Sequence, residues 1–136
     1  MGFFFKSPQE KVAAATRNQA PAVHEMMRNI VAWARGNRPQ SKLMMPALFL
    51  ELYTWYKRNS RYDPDKTVLA DTFAAFLEYC QLVADSKPVP PVLSEAVDFA
   101  LDGFYRMCAD APSDDHAIGT LAMMMASDRH MHQRQR

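Results

Sequence analysis

Apolar positions along this chain recur at spacings of three and four and nowhere alternate with period two, a pattern that predicts helices throughout and no sheet. Proline and capping residues cut the pattern into about six segments. Ser7, Pro8 and Glu10 form a capping box with proline in the first turn, opening a short Ala-rich helix to about Asn18 whose apolar face is thin. A second helix runs from near Pro21 to Gly36, with Val23, Met26, Met27, Ile30, Val31 and Ala34 on one stripe. The third, from about Pro46 to Arg58, carries Leu48, Phe49, Leu52, Tyr53, Trp55 and Tyr56 around most of its circumference and is expected to be central. Asp63 and Pro64 read as the cap and first-turn proline of a fourth helix, the longest amphipathic one, with Leu69, Phe73, Phe76, Leu77, Cys80 and Val83 on one face. Lys87-Pro-Val-Pro-Pro is a stiff extended connector. Leu93, Ala96, Val97, Ala100, Leu101, Phe104 and Cys108 then define a fifth helix, interrupted mildly by Gly103. Ser113, with Asp114 and Asp115 in the first turn, caps a sixth that carries Ile118, Leu121, Ala122 and Met125.

The expected fold is an all-α, compact single-domain bundle of five to six helices spanning residues 1–136. Residues 1–6 form an apolar amino-terminal arm and residues 129–136 a basic, frayed tail. Helices two to five should supply the core, with Trp33, Phe49, Tyr53, Phe73, Phe76, Leu77, Leu101 and Phe104 inside. An aspartate at Phe73 or Leu77 would then unfold the domain by burying an unpaired charge. A length of 136 residues suits one core, and four glycines against nine prolines leave little material for phosphate-cradling loops.

Charge changes the picture more than composition does. The net charge of +1 conceals a bipolar chain: residues 1–62 hold ten bases and three acids, residues 63–128 three bases and twelve acids, and the last eight residues add three arginines. The first expectation is that the two halves neutralise each other within a molecule or across a dimer. A second is a phosphate-tracking patch of Arg28, Arg35, Arg38, Lys42, Lys57 and Arg58, which would make the chain a small nucleic-acid-associated regulator. Against it stand the absence of a helix-turn-helix glycine, zinc pattern or stacking aromatics, and the ordinary preference of cations for helix carboxyl ends.

Little in the sequence assembles into catalytic chemistry. Glu95, Asp98 and Asp102 share one side of the fifth helix, yet acidic surface faces are commonplace and no Glu-x-x-His pair accompanies them. His130 and His132 point to different sides of a helix and find no third ligand, so no metal and no cofactor are expected. Cys80 and Cys108 sit among apolar residues, outside any CxxC pattern, and read as buried structural thiols of a reducing, cytoplasmic compartment, with a single Cys80–Cys108 bridge as the open alternative. No apolar run reaches the length of a membrane span, although peripheral contact through the arm stays open; the opening Met-Gly-Phe-Phe-Phe-Lys is too short for a signal-peptide core.

Ten methionines are the compositional outlier. Met123, Met124 and Met125 sweep about 200° of a helix, so they cannot all share one buried stripe, and one edge is left for a partner. Together with Phe3, Phe4, Phe5 and Trp55, Met123 and Met124 give an apolar patch flanked by charge. The expected function is accordingly a non-enzymatic protein–protein interaction module, an accessory subunit, adaptor or inhibitor, that grips another protein or a second copy of itself in an oligomer.

Overall fold

The computed structural model describes residues 6–36 and 41–129 and shows six α-helices among them: α1 (Pro8–Gln19), α2 (Pro21–Arg35), α3 (Met44–Asn59), α4 (Ala70–Ala84), α5 (Pro91–Asp110) and α6 (Asp114–Met125). Together they make an all-α bundle. The capping chemistry sets their starts. Ser7 Oγ accepts the Glu10 amide at 3.1 Å while Glu10 Oε1 accepts the Ser7 amide at 3.1 Å, completing the box, and Ser113 Oγ accepts the His116 amide at 3.0 Å. Prolines 21 and 91 occupy first-turn positions, where a missing N–H removes no helical bond.

The fourth helix starts later than the sequence suggests. Asp63 and Pro64 begin only a three-residue 3-10 turn, Pro64–Lys66, after which the chain resets. Thr67 Oγ1 donates to the Pro64 carbonyl and accepts the Leu69 amide, its backbone bridges Asp128, and the Val68 amide donates to the Ser127 carbonyl at 3.0 Å. A tie to residues sixty positions away therefore replaces the first helical turns, and α4 begins at Ala70; α5, with twenty residues, is the longest helix. Without a glycine, α4 ends on Ser86, whose φ of 54° lets the Lys87 amide reach the Leu82 carbonyl at 2.8 Å.

Packing departs from the expected core in three respects. First, α6 is integral: Ile118, Leu121 and Met125 are fully buried beside Met27, Ile30 and Phe73. Its closest partner is the thin-faced α1, because Gly119 lets the Gln9 backbone lie directly on α6; a Cβ at that glycine would overlap the Gln9 carbonyl. Second, Trp33 is 39% exposed, since it lies about 120° around α2 from the buried Met27–Ile30–Val31–Ala34 side. Third, Leu77 is 40% exposed, because α4 turns inward the side carrying Phe73, Phe76 and Tyr79. Phe49 centres the aromatic core, edge-on to Phe104 at 5.0 Å and to Phe76 at 5.4 Å, with Phe73 at 6.3 Å; Tyr53 and Phe104 are half-buried at its margin.

Among the described residues, three bases of the first half pair with acids of the second. Arg35 pairs with Asp114 at 2.7 Å, Lys42 with Asp98 at 2.8 Å, and Lys57 with Asp63 at 3.2 Å and Asp65 at 3.0 Å, each a base from the first half on an acid from the second.

Candidate functional site

Where serine, histidine and carboxylate do meet, they make a clasp between two helix starts. Ser7 Oγ lies 3.3 Å from His116 Nδ1, and Ser113 Oγ donates to Glu10 Oε2 at 3.4 Å, so one glutamate joins the caps of α1 and α6. Sequence spacing could not place residues more than a hundred positions apart together. Both serine oxygens accept a backbone amide, which is the chemistry of a cap. These amide and hydroxyl donors, the Ser7 amide first, hold the Glu10 carboxyl below its ordinary value of 4.5. The sign follows: a carboxyl whose folded pKa is depressed stabilises the fold above its unfolded pKa, and that contribution is lost as pH falls through the folded value. Thermal stability should therefore be flat between pH 7 and about 5 and decline below about 4.5, with a shallower acid limb in Glu10→Gln. Melting curves across pH test this, and identical acid limbs for the two chains would contradict it.

Of the proposed phosphate-tracking bases, Arg38 lies outside the described residues. Arg28 pairs with Glu25 one turn away. Arg35 donates to the Cys108 carbonyl at 2.6 Å and the Ala111 carbonyl at 2.7 Å besides its bond to Asp114, so it ties the end of α2 to the α5–α6 corner and satisfies carbonyls at the α5 terminus. Arg35→Ala should cost about 2–3 kcal/mol in urea unfolding with an unchanged slope, and Arg35→Lys should recover less than half, because a point ammonium cannot span three acceptors. A loss under about 0.5 kcal/mol, the scale of an ordinary surface change, would contradict that role. Lys42 bonds Ser94 Oγ at 2.7 Å and stands 5.4 Å from the Tyr79 ring centroid, fixing α5 to the start of α3. Lys57 holds the loop after α3, where Tyr53 also donates to Asp65 at 3.0 Å. Arg58 is exposed.

Trp55 and Met124, two of the apolar candidates, line different grooves. Phe3, Phe4 and Phe5 lie outside the described residues. Trp55 is half-buried, edge-on to Tyr56, in an open groove of about 860 Å³ between α2, α3 and α4 that Met26, Leu50, Cys80 and Val83 also line. Burial pushes the Cys80 thiol above its ordinary value, which keeps it protonated near neutral pH. The methionine triplet divides as its spacing requires: Met125 is buried, Met124 half-buried and Met123 40% exposed.

Met124 belongs to a second, deeper groove of about 450 Å³ between α4, α5 and α6. Its floor is the Phe49–Phe76–Phe104 cluster, its walls are Met107 and Met124, and its polar groups are the hydroxyls of Thr72 and Thr120. The mouth is formed by Phe99 and Gly103 of α5. Phe99 is 77% exposed and Val92, two turns earlier, 79%; with Ala96 and Gly103 they make a continuous apolar stripe along the outer side of α5. Sequence reasoning missed it, because the inward spacing of Leu93, Val97, Leu101 and Phe104 drew attention to the opposite side of the same helix. The signal was present as a bare phenylalanine between small residues at positions 96 and 103.

Among the described residues no group of three or more His, Cys, Asp or Glu is placed to hold a metal ion, and no helix is long and apolar enough to cross a membrane. No protein-family model matches this chain, and neither the curated proteins nor the solved structures contain a match to it.

Proposed function

We propose that this chain is a non-enzymatic interaction module whose docking surface is the α5 stripe together with the groove it borders. The observation that carries the reading is Phe99: a large aromatic ring left 77% exposed beside a preformed apolar groove, on a bundle whose Phe73, Phe76 and Phe104 rings close around Phe49. Exposed apolar surface that is contiguous with a concave site is the usual mark of a partner. Met124 walls that groove, and Phe99, Gly103 and Met107 complete the proposed surface. The free thiol of Cys80 suits a reducing, cytoplasmic setting.

Nucleic-acid binding is the competing outcome. Arg28, Arg35, Lys42 and Lys57 each engage a carboxylate, which leaves less of the proposed patch uncompensated for phosphate. A photoreactive phenylalanine analogue at position 99, irradiated in the native host, separates the two. The expected result is a protein adduct of one defined mass that disappears with Met124→Asp and does not form when the probe stands at Ala109, exposed on another side of α5. Nucleic-acid adducts, or the same products from both positions, would overturn the reading.

A further inference from the structure

Gly103 poses a question that the single chain does not answer. Glycine is among the poorest helix formers, yet it sits inside the twenty-residue α5 where an added Cβ would meet nothing within 4 Å. No close approach within the described chain calls for it, whereas a close approach from outside would. One turn away stands the exposed ring of Phe99, so α5 presents a knob and a hole side by side on one stripe.

We infer that the partner seated on this surface is a second copy of the chain, its α5 antiparallel to the first about a two-fold axis at the level of Leu101. The inference rests on the docking reading above and narrows it to one occupant. Val92, Ala96, Phe99 and Gly103 fall within about 60° of arc, and in this register the Phe99 ring of each copy stands over Gly103 of the other, at the mouth of the α4–α5–α6 groove. A surface that carries both halves of its own complement is the requirement for an isologous contact. Charge agrees with the register. Glu95 and Arg106 lie on the same flank of the stripe, and antiparallel pairing brings each Glu95 within about one residue step, roughly 1.5 Å along the axis, of Arg106 of the other copy. Asp102 lies on that flank as well and approaches its own counterpart, the one repulsive element of the arrangement.

Sedimentation equilibrium of the full chain tests this. The parental protein should pass from monomer to dimer between about 10 and 200 μM, as suits a small helix-pair interface. Gly103→Leu fills the hole on an open side of the helix and should weaken association at least about tenfold while the monomer melts no lower. Glu95→Arg and Arg106→Glu should each weaken it and the double swap restore it, whereas Asp102→Asn should tighten it. A chain that stays monomeric throughout, or a dimer indifferent to Gly103→Leu and to the charge swap, overturns the inference. If the chain is monomeric yet the position-99 probe still captures one different polypeptide, the second copy is excluded and the docking surface stands. If it is monomeric and deletion of residues 1–5 newly opens the groove to a hydrophobic dye, the chain's own arm is the occupant and both readings fall.

Discussion

Gly119→Ala is expected to destabilise the bundle by about 3–5 kcal/mol, in the range reserved for substitutions that break packing outright. In this helix the smallest possible change adds a methyl group where the Gln9 carbonyl of α1 already lies, and the obstacle is backbone, which cannot rotate away as a side chain would. Relief requires α1 to lift from α6, exposing Ala13 and Ile118 and straining the clasp of Ser7, Glu10, Ser113 and His116. Gly103→Ala supplies the contrast. It adds the same methyl group inside another helix, meets nothing, and should stabilise the monomer by about 1 kcal/mol through helix propensity alone. Urea unfolding of both variants at low protein concentration checks the pair, and equal effects of either sign would contradict the packing described.

Phe73→Asp should abolish cooperative unfolding. Phe73 is 1% exposed against Phe49 and Tyr53, and a carboxylate there finds no cation in the aromatic cluster to replace water, the Tyr53 hydroxyl being already committed to Asp65. Loss of the ring costs about 3–5 kcal/mol and the unpaired charge adds several more, which together rival the roughly 5–15 kcal/mol that usually holds a domain folded. Leu77→Asp, one helical turn on, should cost only about 1 kcal/mol, because that side chain already meets solvent. Sequence spacing gave the two residues the same fate; circular dichroism on heating should separate them, with Phe73→Asp unfolded at room temperature and Leu77→Asp melting close to the parental chain. A cooperative Phe73→Asp melt would contradict the core.

Where the chain signals its own local structure, the sequence was readable: the Ser7–Glu10 box, the prolines at 21 and 91, the Ser113 cap and the inward stripes of α2 and α6 need only neighbours three or four positions away. Misreadings fall where distant contacts decide. Asp63 and Pro64 carry good helix-start chemistry, but the Val68–Ser127 and Thr67–Asp128 ties hold Thr67 extended and interrupt the helix there. The thin apolar face of α1 looked peripheral because its close seat on α6 depends on a glycine 110 positions away. Arg35 and Lys42 looked available for phosphate because the carbonyls and carboxylates that occupy them come from α5 and the α5–α6 corner. The groove was legible only at Met124, since its floor gathers phenylalanines from α3, α4 and α5 that have no common period.

The central claim is that Phe99 belongs to a surface built for a partner and contributes little to the folded monomer. Thermal unfolding of Phe99→Asp, at a concentration low enough to keep the parental chain monomeric, tests it most directly. The expected midpoint lies within the few degrees that about 1 kcal/mol represents for a domain of this length; a fall as deep as that of a buried phenylalanine would show that the ring holds the bundle together and that no docking surface need be invoked.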